Sequence, residues 1–267
     1  MKGAFAPGKE RKMGYQFIET EFKDNVLRLT LNRPPLNVLN IAMMEEINDF
    51  LAQNREKEGL RALVIDAKGK CFSAGVDVGE HMGDLAPKMI EVFHRMFRLL
   101  YTYQVPVIAS VYGSCLGGGC EVAAFCDFIV ASEDAKFGQP EIQVGVFPPI
   151  AALIFPRILN MKAAYDLILT GRIISASEAK QIGLVNKVVP RDQLEQETQN
   201  LVKAFSGLSG VVLKKAKKAM VVGLGEDFEA CLKAIEDVYL RELMATNDAN
   251  EGLKAFLEKR KPVWQDK

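Results

Sequence analysis

The chain of 267 residues has no excess charge of either sign, because Lys+Arg and Asp+Glu stand at 34 each. Without a global positive field, a dedicated nucleic-acid binder is disfavoured, as is adhesion to an anionic membrane surface. Histidine is nearly absent. His81 and His94 form no H-E-x-x-H pair or Cys/His zinc pattern, so no metal is expected. The five cysteines (Cys71, Cys115, Cys120, Cys126 and Cys231) are odd in number, lack a C-x-x-C pair and mostly have apolar neighbours. They read as reduced thiols of a cytoplasmic protein. No long apolar run exists either: even Phe137 to Pro156 is interrupted by Gln139, Pro140, Glu141 and Gln143, too polar a stretch to span a bilayer. Residues 1–13 are charged and lack the apolar core of a secretory signal, which predicts a mobile tail.

What remains is an ordinary folded composition, 49% apolar and 25% charged. Tyr15 to Phe22 and Val26 to Leu31 alternate apolar and polar residues across Lys23-Asp24-Asn25, the pattern of an antiparallel hairpin. Met44, Ile47, Phe50 and Leu51 recur at helical spacing within Ile41 to Lys57, and Leu60 to Ala67 reads as a buried strand. A second amphipathic helix near Ala86 to Tyr103 leads into a strand at Val107 to Tyr112, and another strand falls at Phe128 to Ala131. This alternation predicts an α/β fold. Beyond Ala151 the chain reads as mainly helical, with a strand at Leu184 to Val189 and helices near Gln193 to Phe205, Ser209 to Val222 and Asp227 to Ala245. The expected organisation is a tail over 1–13, a core over 14–200 and a helical region over 201–267.

Two glutamates stand out by their surroundings. Glu121 holds the sole carboxylate from Ser114 to Cys126, and Glu141 is the single ionisable residue from Phe137 to Pro156. Burying a carboxylate costs several kcal/mol unless it is paired, hydrogen-bonded or protonated, and enzymes tune general acids and bases in this way. A capped or salt-bridged structural glutamate leaves the same trace, and spacing alone cannot bring the two together. Gly117-Gly118-Gly119 precedes the helix that carries Glu121. Free N–H groups at a helix start can stabilise an oxyanion, although a close helix–strand turn also needs glycine. The segment matches neither a P-loop nor a dinucleotide fingerprint.

Six blocks in order carry a family resemblance. They are Leu31-Asn32-Arg33-Pro34 with Asn37; Cys71-Phe72-Ser73-Ala74-Gly75-Val76-Asp77; Gly117-Gly118-Gly119-Cys120-Glu121; Phe137-Gly138-Gln139-Pro140-Glu141-Ile142; Thr170-Gly171-Arg172 with Ser177-Glu178-Ala179; and Glu251-Gly252 leading to Phe256-Leu257-Glu258-Lys259-Arg260. The chain resembles the crotonase (enoyl-CoA hydratase/isomerase) superfamily from Tyr15 to Trp264. The resemblance implies a spiral of ββα units with a helical C-terminal trimerisation region, and an acyl-CoA thioester as substrate. It implies no separate cofactor, since coenzyme A belongs to the substrate, and assembly as a homotrimer or as a hexamer built from two trimers.

Residue by residue, the resemblance makes the Val76 and Gly118 backbone N–H groups an oxyanion hole, with Ser73, Ala74, Gly75, Asp77 and Gly117 beside the substrate. It makes Glu121 the residue that polarises water for addition at the β-carbon and Glu141 the one that delivers a proton to the α-carbon. Many isomerases of the family keep one carboxylate, so the retained pair favours hydration or its reverse; an isomerase using Glu141 alone, or a non-catalytic or RNA-binding homologue, is the alternative. Where common hydratases have a glycine-rich stretch, this chain has Gly145-Val146-Phe147-Pro148-Pro149-Ile150-Ala151-Ala152. That F-P-P segment is similar to the one in cyclic dienoyl-CoA hydratases, which act on cyclohexadiene-carbonyl-CoA in the degradation of aromatic compounds. It predicts a reshaped acyl pocket lined by Phe147 and Pro148, or else a rigid entry to the next helix. His81 is a candidate pocket residue or an ordinary solvated histidine. The basic run Lys254, Lys259, Arg260 and Lys261 is a candidate contact for CoA phosphates or a solvated helix end.

Overall fold

The computed structural model describes residues 14–81, 83–222, 241–242, 245–248, 251–252, 255 and 258–267. Strands β1 (Ile18–Lys23) and β2 (Val26–Leu31) form the expected hairpin. Its two-residue turn, Asp24-Asn25, has positive φ at both positions (51° and 63°), a conformation that Asn and Asp tolerate better than other side-chain-bearing residues. Strand β1 begins at Ile18 rather than Tyr15 and buries only that first residue, because it lies at the sheet edge.

Strands β3 (Ala62–Ala67), β4 (Val107–Val111), β6 (Phe128–Ser132) and β9 (Lys187–Val189) extend the sheet in the order β1-β2-β3-β4-β6-β9, parallel from β2 onward. Both faces of its centre are covered, and the strand period of two divides the side chains between them. Leu63 and Ile65, Val107 and Ala109, and Ile129 and Ala131 join the main core with helices α1 (Ile41–Asn54), α2 (Leu85–Tyr101) and α3 (Gly118–Phe125). The intervening Val64, Ile108 and Val130 face Leu194 and Val202 of α7 (Leu194–Ser206). Residue 200 therefore falls inside a helix that closes the sheet, so the expected 200/201 boundary cuts one packing unit.

A second layer consists of the short strands β5 (Ser114–Leu116), β7 (Lys136–Gly138) and β8 (Ile173–Ser175), in the order β5-β7-β8. Isolated parallel bridges Ser73↔Cys115 and Leu39↔Val76 continue it. Each turn of chain thus runs from a long strand through a short extended segment into a helix: β3, Ser73 to Val76, α2; then β4, β5, α3; then β6, β7, α4 (Pro149–Ile158). This is the ββα spiral that the resemblance implies. The short segments bring the residues around 75, 117 and 139 side by side. Helices α5 (Met161–Thr170), α6 (Ala176–Gln181) and α8 (Gly210–Val222) complete the described elements. The expected tail over 1–13 and most of the expected helix at Asp227 to Ala245 lie outside the described residues.

Candidate active site

The glycine turn is shaped by its neighbours. Gly117 has φ 51°, and a Cβ there would lie 2.6 Å from Glu141 Oε1. A Cβ on Gly118 would meet Val76 Cγ2 at 2.5 Å and the Phe93 ring at 3.1 Å. Only glycine lets the start of α3 approach both Glu141 and the Val76 segment so closely. Phe93 packs edge-on against Phe97, which packs against Phe125, so this floor is rigid.

The Val76 segment is held from both sides. Ser73 N donates to Ser114 O, and Leu116 N donates to Ser73 O; on the other side, Leu39 N donates to Gly75 O and Asp77 N to Leu39 O. Amide directions alternate along an extended strand, so the Val76 N–H points away from Leu39, toward the glycine turn. No described residue accepts a hydrogen bond from Val76 N or Gly118 N. Unpaired N–H groups in a largely buried turn are rare and call for an acceptor from elsewhere.

Glu121 occupies the first turn of α3 and is 2% exposed. Its Oε1 accepts from Ile150 N (2.8 Å) and Ala151 N (2.7 Å) at the start of α4. Pro148 and Pro149 precede these donors and have no N–H of their own, so the free amides of this helix end go to the glutamate. Burial still pushes Glu121 up to about 8, with the nearby Glu141 charge adding to the rise and the two N–H groups opposing it. Glu141 lies half-buried in the 3-10 turn Pro140–Val144, where loss of solvent raises it to about 7. Two carboxylates crowded in one low-dielectric site resist double ionisation, so near neutrality the pair shares a proton.

A consequence for stability follows from the sign of these shifts. Because the folded pKa of Glu121 lies above its ordinary 4.5, the fold holds the proton more tightly than the unfolded chain does. The contribution of this one group to stability is fully present below pH ~4.5 and is lost as pH rises through about 8. A glutamine side chain in this place would keep an oxygen for both N–H groups without the charge. Glu121→Gln is therefore expected to melt roughly 3 °C or more above the parent at pH 9, with the gap closing toward pH 5. Thermal melts across this range would show it, and a gap that widens toward low pH would refute it.

The other candidates divide between lining and support. Ser73 is fully buried, and its Oγ donates to Asn37 O (2.8 Å) and accepts from Gly75 N (3.2 Å); it shapes the turn. Ala74 is half-buried and Gly75 is buried, with φ 114°. Asp77 Oδ1 accepts from Gly79 N, and the Asp77 carbonyl lies 2.9 Å from His81 Nδ1, so both side chains are engaged in the local turn. Arg260 pairs with Glu251 and Glu258, while Lys254 lies outside the described residues. Pro148 is buried, Phe147 is 65% exposed, and the segment leads directly into α4 at Pro149.

Sequence reasoning assigned no part to Asn37, which is fully buried, accepts from Arg33 N and donates to Lys68 O and Cys71 O. It anchors the strand that leads to Val76, and its place in the first shared block was the available signal. The Ile150 and Ala151 amides were also missed as partners of Glu121. Among the described residues, no three His, Cys, Asp or Glu side chains are grouped to hold a metal, and no helix is long and apolar enough to cross a membrane.

The enoyl-CoA hydratase/isomerase family profile matches residues 21–267. The chain is 38% identical over 243 residues to cyclohexa-1,5-dienecarbonyl-CoA hydratase of Thauera aromatica, covering 91% of this chain and 94% of that one. It is 35% identical over 256 residues to crotonyl-CoA hydratase of Syntrophomonas wolfei, covering 93% and 98%. Among solved structures, enoyl-CoA hydratase of Mycobacterium smegmatis superposes with a TM-score of 0.88 at 31% identity, covering 93% of this chain and 99% of that one.

Proposed function

The chain belongs to the enoyl-CoA hydratase/isomerase family and is an acyl-CoA hydratase, and we propose that it works through Glu121, Glu141 and the Val76 and Gly118 amides. One observation carries this reading: a buried and a half-buried carboxylate converge with two unpartnered N–H groups on the same glycine turn. The thioester carbonyl accepts from both amides, and the negative charge that grows on its oxygen is stabilised there. Glu121 takes a proton from water as the water oxygen bonds to the β-carbon, and the displaced π electrons move to the carbonyl oxygen. Glu141 then gives its proton to the α-carbon as the carbonyl re-forms. One water is added, and the pair again holds one proton. Elimination runs the same steps backward.

The α4 amides lower Glu121 without offsetting its burial, so the roles of Glu121 as base and Glu141 as proton carrier in the reacting complex rest on what the family resemblance implies, not on the free site, where Glu121 holds its proton to the higher pH. An isomerase using Glu141 alone has no need of a second glutamate so supported. A non-catalytic or RNA-binding role is likewise opposed by the cost of withdrawing both carboxylates from water and by the balanced charge.

For the acyl group, we propose a compact cyclic dienoyl ring. The Thauera relative bears the name of such a substrate, and the Pro148-Pro149 pair stiffens the segment that ends at the site. A stiff boundary penalises flexible chains more than a preorganised ring, and a pocket discriminates by ~1–3 kcal/mol per misfitted group. kcat/KM is expected to favour cyclohexadiene-carbonyl-CoA over crotonyl-CoA by at least about tenfold. Phe147→Ala should narrow the ratio if the side chain closes on the ring. Equal or better turnover of crotonyl-CoA would remove the cyclic specificity and leave hydration standing.

A homotrimeric assembly, or a hexamer of two trimers, is supported by an apolar face. Met161, Tyr165 and Leu169 recur every four residues on α5 and are 49–63% exposed, and Leu153 of α4 and Ile173 of β8 are exposed as well. In the C-terminal helical region that the resemblance implies for trimerisation, the apolar positions Phe228, Ile235, Val238, Tyr239 and Leu243 lie outside the described residues. Light scattering at micromolar concentration should give a trimer or its multiple; a stable monomer would count against it.

A further inference from the structure

Gln139 is a polar residue with no exposed surface, lying between β7 and the turn that carries Glu141. Only one orientation of its amide suits the surroundings. With the nitrogen turned toward two acceptors, it donates to Gly117 O at 3.3 Å and Glu141 Oε2 at 3.2 Å; the opposite orientation would set oxygen against both. The same Gly117 carbonyl accepts from Glu121 N at 2.9 Å, and Gly117 N donates to Gly138 O at 2.9 Å. A single side chain thus touches the carboxylate of one glutamate and the peptide that starts the helix of the other. The Gly118 N–H belongs to that same peptide group.

We propose that Gln139 is a positioning residue that ties the Glu141 carboxylate to the Gly117 peptide, fixing the proton carrier against the oxyanion turn. This rests on the reading of Glu141 as the proton carrier. Burying an amide at this point is costly unless its hydrogens are used, and the two acceptors are the groups whose relative placement the reaction depends on. Glu141 Oε1 is confined on the other side by the Gly117 Cα, where even a methyl group would collide. The carboxylate is therefore clamped between a missing side chain and an amide donor.

The donor has an electrostatic effect as well as a steric one. A hydrogen bond given to a carboxylate favours its ionised form, so removing the donor makes Glu141 hold its proton to higher pH. Among the described residues, Glu121 is the charged group that interacts with Glu141 across the site, and the Glu141 charge in turn raises Glu121. Hydration requires Glu141 to carry a proton, so activity declines as pH rises and Glu141 loses it. That limb should move upward when the Gln139 N–H is absent.

The test is a pH profile of hydration by Gln139→Met, which keeps length but loses both donors, and by Gln139→Glu, which keeps shape and replaces the amide with a group that repels Glu141 when ionised. Gln139→Met is expected to lower kcat by about tenfold to a hundredfold with KM within about threefold, and to shift the high-pH limb upward. Gln139→Glu is expected to shift it in the same direction and gives the readout should the methionine variant fold poorly. A high-pH limb that stays in place in the folded variants, or a rise in KM with kcat unchanged, would overturn the proposal. Undiminished activity in Glu141→Gln would instead remove the underlying assignment of Glu141, so the two failures are distinguishable.

Discussion

Glu121→Gln and Glu141→Gln are each expected to lower turnover by at least ~10²-fold while leaving the fold intact, the range that general acid–base groups usually contribute. Either substitution removes the group that exchanges a proton while keeping an oxygen of similar shape. In Glu121→Gln the retained oxygen can still accept from Ile150 and Ala151, so α4 keeps its start. In Glu141→Gln the site loses a charge that Glu121 otherwise opposes. Steady-state assays with a conjugated thioester, read by loss of its absorbance, would give the result. Full activity in either variant would remove that residue from the mechanism. Loss in Glu141→Gln alone would favour the isomerase.

The proposed oxyanion donors are backbone atoms, and proline reaches one of them. Gly118 is the first residue of α3, a position where proline's fixed φ and missing N–H are tolerated. Any Cβ there collides with Val76 Cγ2 and is tight against the Phe93 ring, so the comparison is made in a Val76→Ala background between two variants that share the remaining Phe93 contact. In that background Gly118→Ala restores a Cβ with the N–H kept, and Gly118→Pro adds the loss of the N–H. Turnover of the proline variant is expected to lie ~10²–10³-fold below that of the alanine variant, the usual effect of deleting one oxyanion donor. Equal rates would show that the Gly118 amide does not bear the developing charge.

Much of the fold was legible because its long elements repeat. β2 registers as an alternation and α1 and α2 as helical spacing because each buries one face or stripe, while β3, β4 and β6, covered on both faces, register as short apolar runs. Strands β5, β7 and β8 were not read from the pattern, since three residues carry no period. Yet these strands assemble the site, by setting Ser73, Gly117 and Gly138 side by side. The two glutamates were legible through the apolar residues around them. Their partners were not, because Glu121 is held by backbone amides 29 and 30 residues later, which any sequence possesses. Gln139 lay within a shared block and was given no role there; only its burial and its two acceptors distinguish it. Phe147, a bulky residue beside prolines that suggested a pocket wall, is 65% exposed in the chain alone.

Hydration by this chain means that, at a double bond conjugated to a thioester, oxygen goes to the β-carbon and hydrogen to the α-carbon. Incubation with cyclohexadiene-carbonyl-CoA and, separately, crotonyl-CoA in ¹⁸O-labelled water, followed by mass spectrometry of the acyl product, reads out both the gain of water and its position. The expected product is heavier than the substrate by one labelled water, with the label in a β-hydroxyl group. A product of unchanged mass with a migrated double bond, or no conversion of either thioester, would contradict the hydratase mechanism.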